Sequence, residues 1–452
     1  MVNETFTNSM TQPFDPPSLT RQLVRHARAK PATGDDLAKA ALFVLDAVAN
    51  AVGGRATPQG QIIARWAGNR MPPPATPAQT GPAALVMGAL THILETDDLH
   101  RASVVHPGCV VVPAAWTVGQ RIGASGKHVL RAVLEGFEIA CRVGMGVGPA
   151  HYRIWHNTAT CGPYGAAMAA ATLLGLDEDQ TVHALGNAGS QSAGLWEFLH
   201  TGAMTKHLHA GHAAQAGVQA ADLAVLGFTG PPRILEGPQG FFAAACPDAV
   251  PERVLEDLDG PWQLMQTSMK PWPSCRHTHP AIDAALELSA KLHHCGPDDL
   301  HAVTVETYQA AADVCDRPHA ETEYQAKFSL QHCIAMALLD GDVTLGSFSD
   351  EARLRGRRLA SGIAIEVAEP YAAAYPRDWG SAVTLTMRDG TRHCAERECA
   401  RGDPEAPLAP PEVVDKALQL MRFGDVKAPR GLADAIMALP GAPALPDLPL
   451  FG

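Results

Sequence analysis

The 452-residue chain predicts a mainly α-helical protein with a smaller α+β domain, and three observations carry that expectation. Apolar residues recur at helical spacing from about residue 36 to 230. These segments are rich in Ala and Gly while aromatics make up only 6% of the chain, and small residues let helices approach closely. Near residue 269 the character changes to a proline-rich basic cluster followed by β-rich segments.

Taken in order, MVNETFTNSMTQPFDPPSLT reads as a flexible polar lead without the basic and apolar regions of a signal peptide. Residues 36–54 repeat apolar positions at helical spacing, and Gly53-Gly54 reads as their stop signal. Residues 56–80 read as loop or a short helix, with prolines at 72–74. Nearly uncharged helices are expected at 81–95 and 109–122, and another at 126–147 carries Lys127, Arg131, Glu135, Glu138 and Arg142 on one face. A small-residue helix is expected at 162–174, a further helix from 180 to about 194, and another after Lys206. Beyond 269, a helix starts near 280 and another covers 326–338; strands are expected at 302–308, 363–368 and 382–387, with Arg388-Asp389-Gly390-Thr391 as a hairpin turn. Residues 269–400 therefore read as an α+β unit. The pattern is helical again from 411, and 429–452 is a Pro-rich tail.

The bulk numbers exclude several functions. With 35 Lys+Arg against 47 Asp+Glu the net charge is −12, which argues against nucleic acid or an anionic membrane as partner. No run of about 18 apolar residues appears, so no membrane span is expected. The ten cysteines form no C-x-x-C pair, which points to reduced thiols in a cytoplasmic protein. Neither a dinucleotide fingerprint, a P-loop nor a G-x-S-x-G elbow is present. His277-x-His279 lacks a third ligand at motif spacing, so neither metal nor cofactor is expected.

The stretch Thr91–Val112, THILETDDLHRASVVHPGCVVV, concentrates ionisable residues between two apolar segments: Glu95, Asp97, Asp98, His100, Arg101, Ser103 and His106. Such groups are costly to bury unless paired, and crowding moves pKa values into a range useful for acid–base chemistry. Basic clusters recur at MTKHLHAGH, 204–212, and KPWPSCRHTH, 270–279. An acidic protein that binds an anion must gather cations locally in this way.

These blocks, with HNTATCG at 156–162 and AKFSLQHCIAMALLDG at 326–341, resemble the MmgE/PrpD superfamily, which includes 2-methylcitrate dehydratase, cis-aconitate decarboxylase and iminodisuccinate epimerase. The resemblance spans about residues 35 to 420. It implies a large helical domain built from both ends of the chain, 1–268 and 405–452, and an inserted α+β lid, 269–404. It also implies a homodimer and cofactor-free chemistry on a small polycarboxylate. Matched position by position, the family's acidic block falls on Glu95 and Asp98, its His-Pro histidine on His106, the histidine before the small-residue helix on His156, and its lysines on Lys206 and Lys270. Where many relatives carry Arg, this chain has His207 and His212.

The expected reaction removes a proton, or a carboxylate, next to a carboxylate group. Fixed cations lower the barrier because charge grows there only in the transition state. His106 and His156 are the expected acid–base pair, with Glu95 or Asp98 orienting one imidazole and Lys206 and Lys270 stabilising the developing charge. Substrate contacts are expected from Arg101, Ser103, Asn157, Thr158, His209, Arg276 and His277. The expected class is a lyase, foremost a hydro-lyase like 2-methylcitrate dehydratase, with iminodisuccinate-type epimerisation and cis-aconitate decarboxylation as alternatives.

Overall fold

A computed structural model describes residues 18–68, 72–292 and 298–450. The first seventeen residues of the polar lead lie outside these, and Leu19–Ala29 form a helix, α1, that the hydropathy pattern does not announce. The helical body continues with α2 (Gly34–Ala56), α3 (Pro58–Trp66), α4 (Pro77–Thr91), α5 (Gly108–Ile122), α6 (Gly126–Met145), α7 (Pro149–Tyr152), α8 (Asn157–Leu173), α9 (Glu178–Gly189) and α10 (Thr205–Val225). Capping chemistry sets several starts: Thr33 and Asp36 form a reciprocal capping box at α2, as do Asp177 and Gln180 at α9. Gly123, at φ 65°, closes α5.

Gly53-Gly54 does not stop α2, which runs through to Ala56. These glycines serve packing instead: a Cβ on Gly54 would stand 2.1 Å from the Leu90 carbonyl oxygen of α4. The same logic locks α4 to α10, since a Cβ on Gly211 would lie 2.4 Å from the Leu85 carbonyl oxygen. The backbones touch, so only glycine fits. Other expected boundaries shift. The helix expected at 81–95 begins at Pro77 and ends at Thr91, so Glu95 lies in the loop beyond it. The helix expected to reach 194 ends at Gly189, and a short 3-10 turn, Trp196–His200, follows. The helix expected at 326–338 is two pieces, Glu323–Lys327 and Leu330–Asp340, because the Ser329 hydroxyl caps a new start. The Pro-rich tail holds a helix, Pro429–Met437, where proline occupies the first turn without losing a needed hydrogen bond.

The smaller part carries a four-stranded sheet of β3 (Leu300–Thr307), β4 (Ile363–Val367), β5 (Ser381–Met387) and β6 (Arg392–Arg397), in the order β4-β3-β5-β6. β3 and β4 are parallel, and the other pairs antiparallel. Helix His279–Lys291 packs on β5 and β6. One apolar core joins α1–α6 and α8–α10 with residues 408–450, and a second fills the space under the sheet. Helix Pro410–Phe423 packs on α2, so the C-terminal segment completes the helical body. A two-stranded ribbon, β1 (Leu99–His100) with β2 (Thr267–Ser268), ties the start of the smaller part to the loop after α4. This ribbon brings Lys270 to that loop. One helix, Gly34–Ala56, is long and apolar enough to cross a membrane, and its apolar stretch is mostly buried within this body, as a core helix is.

Candidate active site

The loop 92–106 leaves the C-terminus of α4 and returns at the N-terminus of α5, where an unpaired set of N–H groups must be satisfied. Asp98 does this: both its carboxylate oxygens accept from the Gly108 N–H, at 2.9 and 3.1 Å. Burial, with Asp97 and Asp46 nearby, raises the Asp98 carboxyl well above its usual range. The expectation that the Asp98 side chain orients an imidazole is thereby corrected, because the helix start uses it. Its main chain takes that role. The His106 Nδ1 lies 2.6 Å from the Asp98 carbonyl oxygen. A carbonyl only accepts, so Nδ1 carries the proton and Nε2 keeps its lone pair. Burial, then Lys270 and His92, push the His106 pKa well below 6.5, which leaves the ring neutral.

Glu95 sits at φ 61°, a left-handed conformation that costs a non-glycine residue roughly 1–3 kcal/mol and is characteristic of functional sites. Its carboxylate accepts from Lys206 Nζ at 2.5 Å, with Lys270 Nζ 3.7 Å from the other oxygen. Burial alone would raise this carboxyl, but the two ammonium groups hold it far below the ordinary range. Three lysines from distant parts of the chain clamp three successive carbonyls of this loop. Lys327 donates to Leu94 O at 3.5 Å, Lys270 to Glu95 O at 3.0 Å and Lys416 to Thr96 O at 2.6 Å. Lys416 also pairs with Asp46 at 2.6 Å. The clamp explains how the strained turn is held.

Two residues complete the group: Asp97, to which the sequence assigned no role, and His92, which it did not single out. His92 Nδ1 donates to Asp97 Oδ2 at 2.6 Å, and the His92 ring lies 4.8 Å from His106 and 5.6 Å from His156, centre to centre. His92, Asp97 and His106 each present a ligand atom within 4.8 Å of one another. One nitrogen of each ring and one Asp97 oxygen are engaged in the two hydrogen bonds above, and the Lys270 ammonium stands 3.9 Å from Asp97. A set so paired and so close to a fixed cation fits a hydrogen-bond relay better than a divalent ion.

A cavity of about 940 Å³ opens between the helical body and the smaller part. Glu95, His106, Lys206, Lys270, Arg276 and His277 line it. His277 Nδ1 is hydrogen-bonded to the Tyr308 hydroxyl at 2.7 Å and its ring stacks on Trp379 at 4.5 Å. Arg276 lines the wall while its charge is taken by Asp403 at 2.5 Å.

Other expected residues do not line it. His156 is only 1% exposed, sits behind Trp196 with ring centres 4.9 Å apart, and neither of its ring nitrogens has a hydrogen-bond partner. His209 packs against His156 and Phe198. Arg101 is committed to Asp403 and Glu405. Ser103 bonds to His100, Asn157 donates to Ser103 O at 2.8 Å, and Thr158 accepts the His106 N–H at 3.0 Å. These four are corrected from substrate contacts to supports: acids in the 403–405 turn neutralise Arg101, and the polar groups of the other three hold the loop that presents His106.

The comparisons with known proteins agree with this architecture. Residues 21–253 match the model of the MmgE/PrpD N-terminal domain and residues 272–432 that of the MmgE/PrpD C-terminal domain. A cis-aconitate decarboxylase of Mus musculus is 26% identical over 359 residues, covering 74% of this chain and 70% of that protein. One from Aspergillus terreus is 26% identical over 346 residues, 70% of each chain. A cis-aconitate decarboxylase-like protein, oryM, of Aspergillus oryzae is 28% identical over 295 residues, 60% of this chain and 61% of its own. With both of its domain models matched along most of its length, this chain belongs to the MmgE/PrpD family.

Proposed function

We propose that the protein is a lyase that acts on a small polycarboxylate by removing a proton from the carbon next to a carboxylate. The observation that carries this reading is His106, held with Nδ1 protonated by a main-chain carbonyl and with Nε2 free on the cavity wall. A buried neutral imidazole with a depressed pKa is a base at neutral pH. Nε2 takes the α-proton, and the C–H electron pair moves into the enolate of the neighbouring carboxylate. Lys206 and Lys270 stabilise that charge, and one of the two ammonium groups protonates the departing hydroxide as the alkene forms. Glu95 keeps both ammonium groups fixed, so little reorganisation accompanies the step. The site as read needs no cofactor, and the protein is read as a homodimer.

Decarboxylation is the second reading, favoured by relatives that are cis-aconitate decarboxylases. There the C–C bond to the carboxylate breaks, carbon dioxide leaves, and the same ammonium pair steadies the carbanion until it is protonated. Incubation with 2-methylcitrate, citrate and cis-aconitate separates these outcomes. New alkene absorbance marks dehydration, carbon dioxide marks decarboxylation, and solvent deuterium in recovered substrate without net product marks epimerisation. Absence of all three signals with every compound would overturn the proposal.

A further inference from the structure

The cavity is larger and more apolar than a bare polycarboxylate needs. A six-carbon tricarboxylate, with about a dozen non-hydrogen atoms, fills at most roughly 360 Å³ at about 30 Å³ per water-sized group, against the 940 Å³ present. The buried ionic groups, Glu95, Lys206, Lys270 and Arg276, form the floor, while Arg153, Glu197 and Asp313 are exposed at the rim. Above the floor stand two aromatic walls, one from each part of the chain. Tyr152 and Trp196 pack edge to face at 5.3 Å on the helical side, and Tyr375 and Trp379 lie 5.8 Å apart on the other. All four line the cavity. At its mouth Leu195 and Ile154 are 50% and 58% exposed, apolar surface that a carboxylate-only ligand would leave in water. Charge points the same way. The lining holds five fixed cations, Lys206, Lys270, Arg153, Arg276 and Arg317, against three carboxylates, Glu95, Glu197 and Asp313. Asp403 neutralises Arg276 from behind. With Arg276 so neutralised the excess is one positive charge, which suits a ligand with fewer than three carboxylates.

From this two-ended cavity we infer that the natural substrate is a polycarboxylate bearing an apolar arm of several carbons, its carboxylates on the Lys206–Lys270 floor and its arm between the aromatic walls. This rests on reading the floor as a polycarboxylate site and adds the class of substituent. Each methylene that enters the walls is expected to tighten binding about fourfold until the arm reaches bulk solvent.

Binding of 2-methyl-, 2-butyl- and 2-octylsuccinate, which have neither alkene nor hydroxyl to react, tests this by tryptophan fluorescence on the full-length protein. Affinity is expected to climb with chain length, and Leu195→Ser and Trp196→Ala are each expected to flatten that climb. Leu195 is half-exposed, so its replacement keeps the fold. Affinity that is flat or falls from methyl to octyl overturns the inference and assigns the apolar mouth to contact with protein. A climb that both variants leave untouched also overturns it, because the arm then binds elsewhere. The lyase reading is judged separately by turnover and fails only if no polycarboxylate reacts.

Discussion

Two buried ionic clusters lie in the helical body, and they differ in how completely they are satisfied. In the first, Glu138 on α6 accepts from Arg142 at 2.7 Å, from the Gln263 N–H at 2.8 Å, and from His26 and Lys30 at 3.2 Å each. Burial would raise this carboxyl, but His26 and Arg142 pull it down to about 2. Arg142 in turn donates to the carbonyls of Glu256 and Asp257. The second cluster, around Glu95, has comparable charge and burial, but His92 Nε2, Asp97 Oδ1 and both nitrogens of His156 lack hydrogen-bond partners. Buried polar atoms are ordinarily paired. The first cluster cross-links elements. The second leaves hydrogen-bonding capacity beside a cavity, and that difference, more than charge itself, marks it as the candidate site.

Four experiments break or sharpen this contrast. His106→Ala is expected to lower kcat by about 10²–10⁴, the usual contribution of a positioned base, with little change in the urea midpoint; a modest change in kcat would remove His106 from the chemistry. Arg142→Met is expected to do the opposite. Stranding Glu138 costs roughly 3–5 kcal/mol, read in urea unfolding, while kcat of the folded fraction stays near the parent value. A large kcat loss there would erase the distinction between the clusters.

Lys416→Met releases the Thr96 carbonyl from outside the cavity. Small misplacements of reacting groups cost up to about 10²-fold, so kcat is expected to drop about 10- to 100-fold with KM nearly constant and the acid limb of the pH profile displaced. A change confined to stability would make Lys416 a structural contact only.

The smallest effect is in pH. Burial lowers His100 from 6.5 to about 4 and His277 to about 3. The unfolded chain therefore binds these protons first as pH falls. Their contribution to stability is complete above 6.5 and is lost between 6.5 and those lower values, at about 1.4 kcal/mol per pH unit for each ring. Glu138 adds its loss only below 4.5. A urea midpoint that is constant from pH 6.5 down to about 5 would contradict this, whereas turnover should persist over that interval because His106 stays neutral.

Much of this was legible in the letters because chemistry crowded into short blocks. Glu95, His106, Lys206 and Lys270 stand out as ionisable residues among apolar ones, and all four line one cavity. Less legible was which acid in Glu95-Thr96-Asp97-Asp98 faces which partner. The loop has no period, and the positive φ of Glu95 redirects every side chain after it. Asp98 reads in sequence as a partner that orients an imidazole, but a helix start 10 residues later claims it. Lys416 is 320 residues from Thr96, a pairing only the fold reveals. Gly53-Gly54 read as punctuation because the sequence does not show α4 pressed against that face. Arg101 looked like a substrate clamp until the 403–405 turn met it.

The backbone contact of α4 with α10 has a consequence for how such an enzyme diversifies. Lys206 rides on α10, Glu95 follows α4, and the β1–β2 ribbon fastens Lys270 to the same frame. The groups proposed to react are therefore carried by one frame, whereas Tyr375, Trp379 and Arg317 belong to a separate roof. Substitutions in the roof are then expected to change which molecules are admitted while leaving the proposed proton chemistry below as it is.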